Sequence, residues 1–353
     1  MDVEEKLALI SSPPIEEIVV SDDLRKLLET NPHPNHYLGL EISGLLHLGS
    51  LMVIGFKIRD LIKAGVKCRV FLADWHSFIN SKFEGDWEKI EVAAKYYEEA
   101  FTYFCPGVEI IHGSELYHNN DGYWRNIVRF ARETTLARVT RCLTIMGRSE
   151  KESLDFGKYI YPAMQAVDIK AMDLDIVHAG MDQRKVHMLV REVFPKLGWK
   201  VPIAVHHHLL PGLGEPAKAG LDEDTRADTL ISSKMSKSKP WTAIFVHDTN
   251  EQIEEKIKKA WCPEGVVENN PITEIARYLL FHEFKSLNIE RPTKFGGNVT
   301  FGNFEEMKAT YLQKKLHPVD LKNAVAAGVE ELIAPVREHF EKMQELLEVF
   351  KGE

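Results

Sequence analysis

The segment HYLGLEISGLLHLGSLMVIGFKIRDLIKAG (residues 36–65), followed by CRVFLAD (68–74), decides the fold class. HYLGLE reads as a strand, Ser43-Gly44 as a turn, His47 to Gly65 as a helix stopped by glycine, and CRVFLAD as a buried strand. Strand, helix and strand in that order form the repeating unit of a parallel sheet, so the fold class is α/β. The alternation continues on the C-terminal side. Helix 87–104, strand 108–113, a long helix over 121–147, helix 162–172, strand 175–180, helix 182–194 and strand 201–207 follow in turn. On the N-terminal side, residues 3–30 are amphipathic, with Ser21-Asp22 placed to cap LRKLLE.

Residues 212–233 (GLGEPAKAGLDEDTRADTLISS) are rich in glycine and then in acidic residues, without an apolar period, which predicts a mobile loop. From about residue 250 the character changes to helices (EQIEEKIKKAW, ITEIARYLLFHEF, VDLKNAVAAGVEELIAPVREHFEKMQELLEVF), interrupted by KFGGNVTF. That change predicts two domains, 1–245 and a mainly helical 246–353, in keeping with a length of 353 residues.

Composition narrows the function. With 44% hydrophobic and 27% charged residues the chain reads as a soluble globular protein, and no stretch approaches the roughly 18 apolar residues of a membrane span. MDVEEKLALISSPP has no basic region followed by an apolar run, so a cytoplasmic location without membrane association is expected. Cys68, Cys105, Cys142 and Cys262 form no CxxC pair, which argues against a disulfide framework, a structural zinc site or a thioredoxin-type motif. A net charge of −9 excludes a protein that coats nucleic acid through bulk positive charge. Local basic tracks remain: Arg129, Arg132, Arg138 and Arg141 in one helical run, Arg184-Lys185, Lys234 with Lys237 and Lys239, and Lys314-Lys315.

Two motifs carry chemistry. His47-Leu48-Gly49-Ser50 stands where a turn opens a helix, and the free N–H groups and positive dipole end there suit a phosphate. Gly49 would let a base or ribose approach the backbone closely. Lys234-Met235-Ser236-Lys237-Ser238 follows the glycine-rich loop. Two ammonium groups three residues apart on such a segment can close over a polyphosphate and follow its charge onto a leaving pyrophosphate. Tyr161, Gln165 and Asp168 stand at i, i+4 and i+7, one face of one helix, and Asp168 has apolar neighbours in MQAVDI, so it reads as a buried carboxylate with a role. Gly180-Met181-Asp182-Gln183 follows a strand end, the crevice position where α/β sheets bind ligands. His206-His207-His208 has no third ligand at fixed spacing and reads as structural, so no metal site is expected.

Taken together, YLGLEISGLLHLGS (37–50), FLADWHSFIN (71–80), YIYPAMQAVDI (159–169), AGMDQRKVHML (179–189), KMSKS (234–238), KKAWCPEGVVENNPI (258–272), KFGG (294–297) and KLHPVDLKNAVA (315–326) make the chain resemble the class I aminoacyl-tRNA synthetases. Within them it is most similar to the tyrosyl enzymes of the archaeal and eukaryotic type. The resemblance implies a Rossmann-like catalytic domain, ATP as substrate accompanied by Mg2+, L-tyrosine and tRNA(Tyr) as partners, and a homodimer with tRNA lying across subunits.

It also implies roles. Tyr37 and Asp168 would pair with the phenolic hydroxyl of tyrosine, since a buried hydroxyl left unpaired is costly. Phe71 and His76 would line the ring pocket. Tyr161, Gln165 and Gln183 would hold the α-ammonium group. His47, Lys234 and Lys237 would stabilise the phosphates, with Gly49, Asp182 and Met235 on the nucleotide. Arg141 and Arg184 would lie near the acceptor end of tRNA, and Phe295, His317 and Asp320 would meet the anticodon by stacking and hydrogen bonding. One departure stands out: Ser50 occupies the fourth place of a motif that usually ends in histidine. A hydroxyl can donate to a phosphate oxygen but carries no positive charge. A synthetase-like protein without activation chemistry, and a tryptophan–tRNA ligase, are the alternatives.

Overall fold

The computed structural model describes residues 1–147, 154–218, 220 and 224–351. Two compact units make up the chain, one of Met1–Gly44, Lys57–His208 and Glu345–Glu353, the other of Leu45–Phe56 and Leu209–Gln344. Packing thus groups 209–344 together, whereas the sequence places the expected boundary at 245.

The first unit is built on a six-stranded sheet of β1 (Ile15–Ile18), β2 (Asn35–Leu40), β3 (Lys67–Leu72), β4 (Glu109–His112), β5 (Ile176–Gly180) and β6 (Ile203–His207), in the order β1-β6-β5-β2-β3-β4. All neighbouring pairs are parallel except β1 with β6. The five parallel strands are those the alternation predicts. The antiparallel edge strand β1 is not: IEEI is too short to show a period, and it follows Pro13-Pro14, which ends the helix Val3–Ser11. Around the sheet, helices present apolar faces. In Trp87–Phe104 the buried residues Ile90, Ala93, Ala94, Tyr96, Tyr97, Ala100 and Phe101 fall on one stripe at spacings of three and four.

Three expectations need correction. The helix over 121–147 is broken into Asp121–Arg132, Leu136–Cys142 and a short turn Leu143–Met146, because Thr135 takes an extended conformation and accepts the N–H of Arg138, starting a new helix. The helix near 162 begins earlier, at Phe156, where Asp155 caps it, so Pro162 lies inside the helix. Within the expected loop 212–233, Thr225–Ser233 is helical, and Asp228 on it accepts from Gly220 N–H and Ser232 Oγ. Residues 219 and 221–223 of that loop lie outside the described residues.

In the second unit, Asn250–Lys259 opens on a capping box between Thr249 and Gln252 and packs Ile253 and Ile257 against Pro318–Phe340. Gly328 of the latter helix permits close packing against Ala276–Leu280, since a Cβ would stand 2.9 Å from Leu280. A two-stranded hairpin, β7 (Leu287–Ile289) with β8 (Val299–Phe301), interrupts the helices. Among the described residues no helix is long and apolar enough to cross a membrane.

Candidate active site

The order of the parallel strands reverses at β2, which has β5 on one side and β3 on the other. Ligands of open α/β sheets bind at the carboxyl ends of the strands at such a point. Tyr37 lies on β2 and Phe71 on β3, both buried, with ring centroids 6.2 Å apart. Gly39 leaves the space between them open, since a Cβ there would stand 3.3 Å from the Tyr37 ring.

Asp168 projects from Phe156–Ala171 into an apolar interior and is 1% exposed. Its Oδ1 accepts from Tyr117 Oη at 2.9 Å and Tyr123 Oη at 2.8 Å. Its Oδ2 makes no hydrogen bond among the described residues, and His76 Nε2 stands 3.7 Å from it. Burial pushes the carboxyl up to about 8, while the two phenol donors pull it down and the charge of Asp74 adds to the rise. Tyr37 does not bond to Asp168 directly. Burial, and then the charge of Asp168, raise its hydroxyl above the usual range. The pair expected around a phenol is therefore present as two uncommitted polar groups. Tyr117 and Tyr123 were not legible as site residues, because an aromatic in a helical stretch reads as core.

The ring of His76 stands edge-on to Tyr161 at 4.4 Å, and burial pushes it down to about 3, so it is neutral. Gln165 and Gln183 meet, Nε2 to Oε1 at 3.3 Å, and Gln183 Nε2 donates to the carbonyl of Ile145 at 2.9 Å. Gln165 Oε1 is buried and has no partner among the described residues, an acceptor that an ammonium group would satisfy. Tyr161 is held protonated by burial and next by the negative charge of Glu41. Glu41, just past β2, is itself held by Asn80 Nδ2 at 2.7 Å and Lys82 Nζ at 3.1 Å, and sequence reasoning missed it. Asp182 lies in the turn Met181–Gln183 that follows β5.

In the second unit, His47 caps the π-helical turn Leu48–Val53, whose backbone runs on into Ile54–Lys63. Its Nδ1 accepts from Gly49 N–H at 3.1 Å and Ser50 N–H at 3.2 Å. That fixes the tautomer, placing the proton on Nε2 as a donor. Burial pushes the imidazole down to about 3, and the ammonium groups of Lys237 and Lys234 push it further, so His47 is neutral within reach of their charge. The space over Gly49 holds the His47 ring, 3.2 Å from where a Cβ would be. Ser50 Oγ accepts from His47 N–H at 2.8 Å and donates to the His47 carbonyl at 3.2 Å, so both sides of this hydroxyl are engaged on the turn. Met235 is buried and donates its N–H to the carbonyl of Leu210 at 2.7 Å, pinning the lysine-bearing segment.

The remaining expected residues are spread out. Arg184 pairs bidentately with Glu17 of β1, which also holds His206. Arg141 is exposed. Phe295 is 61% exposed, with Lys294 Nζ 4.9 Å over its ring. His317 caps Pro318–Phe340 through Nδ1, and Asp320 lies in that helix's first turn. Arg291 ties the Phe295 loop to the same region, donating to the carbonyls of Gly297 and Lys315. His207 meets His178, and His208 meets Glu16, as structural histidines do.

Residues 29–334 match the family model of class I tRNA synthetases (W and Y). A tyrosine–tRNA ligase of Thermococcus sibiricus is 48% identical over all of this chain and 99% of its own length. One of Pyrococcus furiosus is 45% identical over 100% and 99%. The crystal structure of a Pyrococcus horikoshii tyrosyl-tRNA synthetase complexed with L-tyrosine superposes with a TM-score of 0.92 at 44% identity, covering 100% of both chains. With the phenol-matched pocket and the paired His47 and KMSKS elements, these likenesses establish that the chain belongs to the class I tRNA synthetases of the tryptophan and tyrosine group.

Proposed function

We propose that the chain is a tyrosine–tRNA ligase, which activates L-tyrosine with ATP and transfers it to tRNA(Tyr). The observation that carries the choice of tyrosine is the pair of uncommitted groups in one apolar pocket, Asp168 Oδ2 and the Tyr37 hydroxyl, an acceptor and a donor for a phenol. An indole N–H could donate to Asp168 but offers no acceptor to the Tyr37 hydroxyl, which counts against tryptophan. Phe71 and His76 line the ring site, and Tyr161, Gln165 and Gln183 take the ammonium group.

In the first step a tyrosine carboxylate oxygen bonds to the α-phosphorus of ATP, the bond to the bridging oxygen breaks, and pyrophosphate leaves. No protein nucleophile is required, so catalysis is positioning and charge stabilisation. His47 donates from Nε2, and Lys234 and Lys237 take the charge that moves onto pyrophosphate. These donors suit phosphate oxygens and not a metal ion, so Mg2+ would enter with ATP, held by phosphates and water. Gly49 and Met235 shape the nucleotide side, Asp182 accepts from a ribose hydroxyl, and Ser50 holds His47 in place. In the second step a hydroxyl of the terminal ribose of tRNA attacks the adenylate carbonyl and AMP leaves. Arg141 and Arg184 serve the acceptor end, and Phe295, His317 and Asp320, within 246–353, serve the anticodon. The working form is a cytoplasmic homodimer.

Amino-acid-dependent ATP–pyrophosphate exchange tests the reading. Exchange with tyrosine, and none with phenylalanine or tryptophan, is expected; a folded protein that binds tyrosine yet gives no exchange would sink it.

A further inference from the structure

Recognition of a phenol by Asp168 needs a carboxylate that points one oxygen at the ligand and stays an acceptor. A carboxylate offers about four lone-pair positions on two oxygens, and burial alone favours its neutral form, which donates as readily as it accepts. Two side chains resolve that ambiguity. Tyr117, at the end of Gly113–Tyr117, and Tyr123, in the first turn of Asp121–Arg132, both donate to Oδ1. Their rings lie 4.5 Å apart, and Tyr117 is braced by the edge of Trp75 at 5.9 Å and by Phe71 at 6.4 Å. Gly113 makes that packing possible, since a Cβ would fall 2.6 Å from Asp74 Oδ1 and 3.2 Å from the Tyr117 ring.

We propose that Tyr117 and Tyr123 are positioning residues for substrate selection: by occupying Oδ1 together they turn Oδ2 toward the ligand and make the tyrosine hydroxyl the third donor that completes an anionic Asp168. The inference rests on the tyrosine-activating reading above. The groups that face Asp168 are Tyr37 from β2, Asp74 and His76 from Asp74–Ile79, and Tyr117 and Tyr123. His76 is neutral, so it supplies no cation to hold the carboxylate charged. With Asp168 pushed up to about 8, the empty pocket holds it mostly protonated at neutral pH. Tyrosine binding then releases that proton to solvent, and phenylalanine binding does not.

The test needs wild type and two variants. Calorimetry of tyrosine binding to wild type at pH 7, in two buffers of different ionisation enthalpy, is expected to read most of one proton released; none released overturns the proposal without any variant. Tyr117→Phe and Tyr123→Phe each remove one donor oxygen and leave the ring. Each is expected to raise KM for tyrosine about ten-fold in pyrophosphate exchange with little change in kcat, consistent with loss of a hydrogen bond to a charged group. Each also moves the alkaline rise of kcat/KM for tyrosine to higher pH, and neither changes the weak binding of phenylalanine, read as its inhibition constant against tyrosine. A parallel fall for both amino acids, with the pH profile unmoved, means a merely structural role and overturns the proposal. Wild type inactive toward tyrosine would instead defeat the activity reading on which it rests.

Discussion

Ser50 Oγ accepts the backbone N–H of His47 at 2.8 Å, and His47 Nδ1 accepts the backbone N–H of Ser50 at 3.2 Å. Each residue caps the other, so the serine that replaces the usual histidine aims the imidazole and adds no second cation. Ser50→Ala is therefore expected to cost about 1 kcal/mol in urea unfolding, the usual worth of a cap. His47→Ala, which removes the Nε2 donor, should slow pyrophosphate exchange by about a hundredfold with tyrosine KM unchanged. A His47→Ala variant with full exchange would remove His47 from the phosphate side.

Gly49 answers to the same ring. A Cβ there would stand 3.2 Å from His47 Cε1 and 3.3 Å from Nδ1, tight enough to displace the imidazole from its two N–H donors. Gly49→Ala is expected to lower the exchange rate by about ten-fold while tyrosine affinity, measured by calorimetry, stays at the wild-type value.

Asp168 links recognition to stability. Its carboxyl is raised in the folded protein to about 8, against an unfolded value near the ordinary one for aspartate, about 3.9. A raised carboxyl favours the folded state fully below the unfolded pKa, and that contribution is lost as pH rises through the folded value. Wild type should thus lose stability between about pH 4 and 8 from this group, and Asp168→Asn should lack that loss while abolishing the preference for tyrosine over phenylalanine. Unfolding midpoints at pH 5 and pH 8 for both proteins decide it.

The histidines of the first unit act in the opposite sense. His36 is pushed down to about 3 and His207 to about 4 by burial, and among the described residues neither ring nitrogen of His36 has a hydrogen-bond partner. A depressed histidine contributes stability above its unfolded pKa of about 6.5 and loses it as pH falls toward the folded value. His36→Leu, which removes the titrating ring that packs 5.3 Å from His178, should flatten the acid side of the stability curve between pH 6 and 4. An acid limb as steep as wild type would show that His36 is not among the groups driving it.

What was legible in the sequence follows from where its physics is local. Asp168 among apolar neighbours, and Tyr161, Gln165 and Asp168 on one helical face, show their purpose within a dozen residues. Tyr117 and Tyr123 do not, because their hydroxyls acquire meaning only when the chain returns, 51 and 45 residues later, with Asp168. Glu17 was hidden for a similar reason: its strand shows no period, and its partners Arg184 and His206 lie 167 and 189 residues away. Ser50 was read as a phosphate donor because the motif gives its place and not its hydrogen bonds. The break at Thr135 was missed since one capping side chain outweighs a helical period that runs straight through it.

Phe295 carries the last prediction. It is 61% exposed on a loop that Arg291 fixes through the carbonyls of Gly297 and Lys315, with the Lys294 ammonium 4.9 Å over the ring. An exposed aromatic backed by cations stacks an unpaired base at about 1–3 kcal/mol, and little in the folded protein depends on it. Phe295→Ala is expected to raise KM for tRNA in aminoacylation by about ten-fold or more and to leave tRNA-independent pyrophosphate exchange at the wild-type rate. Arg291→Ala, which frees the loop without touching the ring, should give the same split at smaller size. If exchange falls together with aminoacylation, the residue bears on tyrosine activation and the anticodon role is wrong.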